Sequence, residues 1–219
     1  LRKVTLGPVG QQLLGKLEAK GIKGLTYWDN GFKSFSANNP ILMPADLKGK
    51  KLRIQSSKVL EEQIRAIGGL PQVMAFSEVY QALQTGVVDG TENPISNLYT
   101  QKMHEVQKHL SLTEHGYLGY AVIVNKKFWD GLPSDIRKQL EDAMEQATRY
   151  ANQIAKVENE TALENVRKSG KTQIHVQTAA ERQAFKKALV PVHQKMASRI
   201  GKETIENVYK ATGFDPNKL

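Results

Sequence analysis

An alternation of short apolar runs with amphipathic helical patterns, in residues 51–94, most constrains the fold of this chain. The apolar runs at 51–55 and 72–76 are each followed by a serine, Ser57 or Ser77, and then by apolar residues spaced three or four apart. Because serine is a preferred helix N-cap, this arrangement predicts two strands that each lead into a helix. Such strand–helix repeats favour an α/β fold with a parallel or mixed sheet.

Further elements are predicted on both sides of this region. Short apolar runs predict strands at 24–28, 87–88, 119–125 and 172–177, of which 119–125 is expected to be buried on both faces. Helical spacing predicts a helix over 134–169, another after the capping box formed by Thr178 and Glu181, and a last one over 202–212. Pro191 should interrupt the second of these helices. The first exceeds the usual length in globular proteins, so we expect it to bridge two packed bodies or to bend.

Composition excludes several classes of protein. The chain has 219 residues, 40% of them hydrophobic and 24% charged, which is ordinary for a globular protein. It contains no cysteine, so disulfides, thiolate metal sites and cysteine nucleophiles are excluded. No apolar run approaches the ~20 residues of a membrane-spanning helix. No charged-then-apolar segment resembles a signal peptide, so we interpret the chain as mature or trimmed.

The net charge of +9 suggests nucleic-acid binding, but its distribution does not. Lysines and arginines are scattered among acidic residues, as in 138–142, and no nucleic-acid motif accompanies them. The pattern favours a solvated basic surface, whose field would also assist the capture of an anion.

Catalytic residues are not evident in the sequence. His104 and His109 lie five residues apart, a spacing that does not stack two imidazoles on one helical face as a zinc site would. Asp89, Glu92 and His115 could form an acid–base group, although nothing pairs them with a nucleophile. We therefore predict no catalytic residue, metal or cofactor, and keep an α/β hydrolase-like enzyme as an alternative.

Two long motifs resemble a known family. Residues 76–94 (FSEVYQALQTGVVDGTENP) and 51–57 (KLRIQSS) closely resemble the signature of TRAP-transporter periplasmic solute-binding proteins of the DctP type. The segments 27–33 (YWDNGFK), 99–108 (YTQKMHEVQK) and 115–120 (HGYLGY) also fit. The resemblance runs from about Gly21 to the C-terminus, whereas residues 1–6 match nothing in the family pattern.

The resemblance implies a two-lobe, Venus-flytrap fold with a long bridging helix. One lobe would comprise 30–118 with 158–219, and 1–29 with 119–157 would be the remnant of the N-terminal lobe. Family members begin with a signal peptide and a substantial N-terminal segment, so we expect the first lobe to be incomplete. Its unpaired strand edges are expected to permit dimerisation.

Arg53 is the first candidate for ligand binding. It lies in a predicted strand that leads directly into a capped helix, and in open α/β sheets ligands bind beyond the carboxyl ends of strands. A guanidinium there could bind a carboxylate through two donors, although the residues alone slightly favour an Arg53 that points to solvent. The family's carboxylate-binding arginine falls on Arg53. Lys33, in a predicted loop, falls where some relatives carry arginine and would be the second cation for a diacid.

Three further ligand-binding residues are implied by the resemblance. Asn93 matches an asparagine that contacts ligand from the start of a helix, Phe76 an aromatic that packs against the ligand's carbon skeleton, and His115 a histidine near the pocket. From the residues alone, an ordinary Asn-Pro turn and a core phenylalanine remain equally open.

The implied function is capture of a C4-dicarboxylate, namely malate, succinate or fumarate, in the periplasm of a Gram-negative bacterium. The ligand would then be delivered to the membrane permease subunits of a TRAP transporter. A 2-oxo acid or a sugar acid is the alternative ligand within the family.

Overall fold

The structure is a computed structural model and describes residues 2–219. Its strands are β1 (Ile22–Ala37), β2 (Lys51–Ile54), β3 (Leu70–Val73), β4 (Gly90–Asn93), β5 (His109–Asn125) and β6 (Gln173–Val176). Its α-helices are α1 (Arg2–Thr5), α2 (Pro8–Gly15), α3 (Lys58–Ala66), α4 (Val79–Gln84), α5 (Ile95–Thr100), α6 (Lys126–Asp130), α7 (Ser134–Ser169), α8 (Ala179–Leu189), α9 (Pro191–Lys195), α10 (Ala197–Ile200) and α11 (Lys202–Thr212). Short 3₁₀ turns cover Glu18–Lys20, Pro44–Leu47, Phe76–Glu78 and Met103–Glu105.

The six strands form one mixed sheet in the order β3-β2-β4-β1-β5-β6. Strand β2 pairs in parallel with both β3 and β4, β5 pairs in parallel with β6, and β1 is antiparallel to β4. The α/β class and the parallel or mixed sheet that the sequence predicted are confirmed.

Several predicted helix ends are confirmed at the level of individual hydrogen bonds. The Ser57 side chain accepts a hydrogen bond from the amide of Leu60 at the start of α3. Thr178 and Glu181 form the predicted capping box of α8, and α9 begins at Pro191 after α8 has ended. The serine predicted to cap a helix at position 77 does not do so. Instead the Glu78 carboxylate accepts from the amide of Ala75, one turn before α4.

Two strand predictions are wrong in extent or place. Strand β1 continues to Ala37, so Lys33 lies inside a strand and not in the predicted loop. Residues 87–88 are not a strand; the strand begins at Gly90, where a turn was predicted. At the second place Gly90, a residue common in turns, occupies a strand position because it pairs with Ala37 of β1 and with Leu52 of β2.

The prediction that 119–125 is buried on both faces is also wrong. These residues form the last part of β5, but Tyr120 and Ile123 are 47% and 53% exposed. Burial depends on what covers each face of the strand, and an apolar run in the sequence does not contain that information.

The described chain divides into two compact units. The first contains the residues through Asn30, Gly119–Val157 and Gly201–Asp215, and the second contains Gly31–Leu118, Glu158–Ile200 and Pro216–Leu219. The sequence placed 201–219 in the second unit, whereas α11 packs against α1 and α2 of the first. The periodicity of α11 predicts a helix but does not indicate which surface it covers.

In the second unit, alternate side chains of the sheet enter two separate cores. The core on one face joins Phe35, Ala37, Leu52 and Ile54 to α3 and α8. The core on the other face is formed mainly by α4, α5, α7 and Leu110 of β5. Residues that are neighbours in sequence on these strands therefore point into different environments, and this decides the arrangement of the functional site.

Candidate functional site

Arg53 and Asn93 lie near the carboxyl ends of parallel strands. Arg53 is the third residue of β2 and Asn93 is the last residue of β4. The register pairs Arg53 with Thr91, and the side chains of Arg53, Thr91 and Asn93 therefore project from the same face of the sheet. Phe76 follows β3 closely and lies beside this group.

The guanidinium of Arg53 is buried and incompletely paired. The residue is 2% exposed, and its Nε and Nη2 both donate to the Met74 carbonyl oxygen, at 3.1 and 2.9 Å. Its Cζ lies 5.5 Å from the centroid of the Phe76 ring. Burial lowers the pKa of Arg53 and Glu92 opposes this effect, but an arginine remains protonated at neutral pH.

The third nitrogen of the fork, Nη1, is buried and has no hydrogen-bond partner. A buried donor on a charged group is costly when it stays unpaired, and a carboxylate is the acceptor that a guanidinium binds most strongly. Arg53 is therefore held by its two other nitrogens and by Phe76, and the N–H donors of Nη1 are left for a further acceptor.

Asn93 is positioned on the same face by the second unit's core. It is 2% exposed, and its Nδ2 lies 3.2 Å from Thr91 Oγ1 and 3.6 Å from Met103 Sδ. The sequence placed it at the start of a helix, whereas it ends β4 and α5 begins at Ile95. Its carboxamide oxygen and nitrogen can each serve a polar ligand.

Lys33 and His115 form a second group on the opposite face. Lys33 Nζ lies 2.6 Å from Glu92 Oε2 and 2.8 Å from Oε1, and His115 Nε2 lies 3.3 Å from Glu92 Oε2. The register pairs Phe35 with Glu92, which places both on the face away from Asn93. The ring of Phe35 stacks on that of His115 with centroids 3.8 Å apart.

Glu92 is the residue of this group that the sequence analysis did not assign to the ligand site. Its presence changes the role of Lys33, whose charge is compensated by a buried carboxylate. The sequence contains a signal for this pairing. A carboxylate next to Asn93 in a strand must face the side of the sheet opposite to Asn93, and a buried carboxylate needs a cation as its partner. With His115 neutral, the four groups at positions 33, 53, 92 and 115 carry a net charge of +1, supplied by Arg53.

The hydrogen bonds of His115 fit a neutral imidazole. Its Nδ1 lies 2.7 Å from Thr113 Oγ1 and accepts from that hydroxyl, while Nε2–H donates to Glu92. Burial lowers the pKa of His115, and the hydrogen bond and charge of Glu92 oppose that only in part. Burial would raise the pKa of Glu92, but His115 and Lys33 together lower it.

The Thr113–His115–Glu92 arrangement resembles a catalytic triad only in its order. Thr113 is 4% exposed, the His115 side chain is 3% exposed, and Phe35 covers the imidazole face. A nucleophile and base must reach the atom that they attack, which these groups cannot. Asp89, the other carboxylate considered, accepts from the amide of Lys51 instead.

The absence of a side chain at Gly116 leaves room for the side chain of Lys33. A Cβ at this glycine would lie 2.9 Å from Lys33 Cε, closer than real Cβ contacts. Lys33 thus packs against bare backbone and reaches Glu92 across it. Among residues 2–219 no cluster of three or more histidine or acidic side chains could hold a metal ion.

The buried histidine makes the fold sensitive to acid. The pKa of His115 in the folded protein lies below the ordinary value of 6.5. The stabilisation that the neutral histidine gives is therefore complete above pH 6.5, and it is lost as the pH falls below 6.5. We expect the free energy of unfolding to fall between pH 7.5 and 5, and to fall less in His115→Gln. Urea denaturation at several pH values measures this, with His109→Gln as the control. If the free energy of unfolding depends on pH equally in wild type and in His115→Gln, the lowered pKa assigned to His115 is wrong.

Comparison with known proteins identifies the family of the chain. The chain matches the family described as DctP, bacterial extracellular solute-binding protein, family 7, over residues 1–200. The match includes residues 1–6, so the expectation that they lie outside the family pattern is wrong. Within residues 2–219 no helix is both long and apolar enough to cross a membrane.

Individual relatives are highly similar. The chain is 65% identical over 212 residues to the C4-dicarboxylate-binding periplasmic protein DctP of Rhodobacter capsulatus, covering 97% of this chain and 64% of that protein. It thus spans less than two thirds of that relative's length.

Two solved structures share the fold. A TRAP periplasmic solute-binding protein from Shewanella oneidensis with bound succinate matches with a TM-score of 0.91 and 39% identity, over 94% of this chain and 68% of that one. One from Pseudomonas aeruginosa with bound L-malate matches with a TM-score of 0.85 and 34% identity, over 89% and 68%. The chain therefore belongs to the DctP family of TRAP-transporter periplasmic solute-binding proteins.

Proposed function

We propose that this chain carries the anion-binding part of an extracytoplasmic solute-binding protein that captures a C4-dicarboxylate. The observation that carries the proposal is Arg53, a buried, protonated guanidinium whose Nη1 has no hydrogen-bond partner. Succinate and L-malate, present in the related structures, and fumarate are the ligands of this class. The periplasm is the proposed location, and membrane permease subunits of a TRAP transporter are the proposed recipients.

The charges of the site support an anionic ligand. Lys33 and Glu92 compensate each other, so Arg53 contributes the uncompensated charge of the group. One carboxylate would neutralise it. An ammonium group has three N–H donors. Lys33 would bind the second carboxylate of a diacid through a donor that Glu92 does not use. Phe76 would cover the carbon skeleton, Asn93 would donate or accept beside it, and His115 would act through Glu92.

Binding without chemistry separates this proposal from a hydrolase-like enzyme. Isothermal titration calorimetry with succinate, L-malate and fumarate should give binding without turnover. A sugar acid or a 2-oxo acid that binds while these three do not would redirect the assignment within the family. Salt-sensitive retention on DNA would instead support a nucleic-acid-binding module.

The variant Arg53→Lys should weaken binding of all three diacids. Lysine keeps the charge but loses the planar fork, and a hydrogen bond to a charged group contributes about 1.5–3 kcal/mol, or about 10–150-fold in affinity. Calorimetry on Arg53→Lys and on the surface control Arg65→Lys measures this. Wild-type affinity in a folded Arg53→Lys would show that Arg53 does not bind the carboxylate.

The first unit is proposed to belong to one lobe of a two-lobe binding protein, and the second unit to be the lobe that carries the anion-binding residues. The buried hydrophobic residues of the first unit are few, namely Val4, Val9, Leu14 and Trp129. Its helix α7 exposes Ile136, Leu140, Ile154 and Val157, by 39–52% each. An apolar face of this kind favours association.

We expect the isolated chain to dimerise through this face. Light scattering at increasing concentration should show the mass of a dimer, and Leu140→Glu with Ile154→Glu should restore a monomer. Lys138→Glu on the same helix is the control for added negative charge. If the chain remains a monomer at all concentrations, the proposed dimer is wrong.

A further inference from the structure

Ser34 is a buried polar side chain on β1 that the proposed function does not use. It is 2% exposed, and within residues 2–219 its hydroxyl makes no hydrogen bond. Buried hydroxyls are usually hydrogen-bonded, because an unpaired one costs free energy. Arg53 Nη1 is fully enclosed, whereas the unpaired oxygen of Ser34 is not. The hydroxyl therefore has both a free donor and a side from which a ligand atom can approach it.

The strand register places Ser34 directly opposite Asn93. Strand β1 is antiparallel to β4, and the paired positions include Ser34 with Asn93 and Ser36 with Thr91. Residues directly opposite each other in an antiparallel pair share a face of the sheet and have Cβ atoms about 4.5–5.5 Å apart. The side chains of Ser34 and Asn93 are therefore neighbours on one face.

The register also connects this pair of residues to Arg53. Arg53 of β2 lies opposite Thr91, which precedes Asn93 by two residues, so Arg53 and Asn93 are diagonal neighbours on that face. Three adjacent strands, in the order β2-β4-β1, thus contribute Arg53, Asn93 and Ser34 to the same face. Lys33 and Glu92 lie on the other face, so no carboxylate of that pair is interposed.

The orientation of the guanidinium supports a ligand that extends from Arg53 toward β4 and β1. Nε and Nη2 of Arg53 both donate to the carbonyl oxygen of Met74, the residue that follows β3. Strand β3 flanks β2 on the side away from β4. Because a guanidinium is a planar fork, Nη1 lies on the edge that faces away from Met74, which is the side of β4 and Asn93.

We propose that Ser34 is a further ligand-binding residue, whose hydroxyl donates to the second carboxylate of a diacid held by Arg53 at its first. This inference rests on the proposed function and names an additional residue of the same site. Hydrogen bonds to an ionised acceptor are stronger than those between neutral groups. A carboxylate has two oxygens with several lone pairs, so a bond from Ser34 leaves room for one from Lys33.

The variant Ser34→Ala removes this donor and little else. Calorimetry with succinate should show an affinity lower than that of wild type by about tenfold or more, the size expected of a hydrogen bond to a charged group. Because the hydroxyl has no partner in the ligand-free protein, its removal should leave the melting temperature of that form unchanged or slightly raised.

Ser36→Ala is the matched control. Ser36 lies two residues further along β1 on the same face and is 1% exposed, but its hydroxyl donates to Gln107 Oε1 at 2.9 Å. Loss of that bond leaves a buried acceptor unpaired, so Ser36→Ala should lower the melting temperature. Its affinity for succinate should equal that of wild type. The two serines are thus expected to differ in both measurements.

Failure of this inference and failure of the proposed function give different results. Wild-type affinity for succinate in Ser34→Ala would overturn the role of Ser34 and leave the Arg53 site intact. Equal loss of affinity in both serine variants would also overturn it, because a general disturbance of β1 would then be the cause. If wild type binds neither succinate nor L-malate, the proposed function is wrong, and the role of Ser34 with it.

A second substitution covers the case in which Ser34→Ala does not fold, judged by its melting curve. Ser34→Cys keeps a side chain of similar shape but replaces the hydroxyl with a weak donor. The same direction of change in succinate affinity is expected, and an affinity equal to that of wild type would overturn the inference.

Discussion

Charged groups buried in a sheet must each be paired, and this constraint determines the arrangement around β4. Lys33, Glu92 and His115 meet this requirement among themselves on one face. Removing one member of a buried ion pair destabilises the folded protein by about 3–5 kcal/mol. The same energy opposes separation of the partners, so the three side chains hold one another in place. Arg53 on the other face has no carboxylate among its close partners, and a ligand can supply one.

In this proposal the two faces of the sheet have different roles. The face with Lys33, Glu92 and His115 keeps the site rigid, and the face with Arg53 binds the ligand. Within the Lys33–Glu92–His115 group the lysine and the glutamate compensate each other's charge, Phe35 covers the imidazole, and Gly116 leaves room for the lysine. Two of the three nitrogens of Arg53 hold the side chain in place, and we propose that its charge serves to bind the ligand. We therefore propose a binding role for Arg53 and a positioning role for His115.

Local signals in the sequence predicted the features that depend on a few neighbouring residues. The serine and threonine caps of α3 and α8, and the interruption at Pro191, follow from backbone hydrogen bonding within one turn. Family motifs pointed to Arg53, Lys33, Asn93, Phe76 and His115 as candidates, and the structure brings Arg53, Asn93 and Phe76 to one face and Lys33 with His115 to the other. The roles of all five remain predictions.

Features that depend on strand register could not be predicted in the same way. Which residues share a face follows from pairs such as Arg53 with Thr91 and Phe35 with Glu92, and a single sequence does not contain these pairings. The compensation of Lys33 by Glu92 was missed for this reason, whereas the exposure of Ile123 and the packing of α11 depend on which surfaces lie against them.

A crystal structure of the chain with bound succinate tests the central claim most directly. The account predicts a carboxylate oxygen within hydrogen-bond distance of Arg53 Nη1, with the Lys33–Glu92 pair unchanged. Succinate bound elsewhere, with Nη1 still lacking an acceptor, would contradict it.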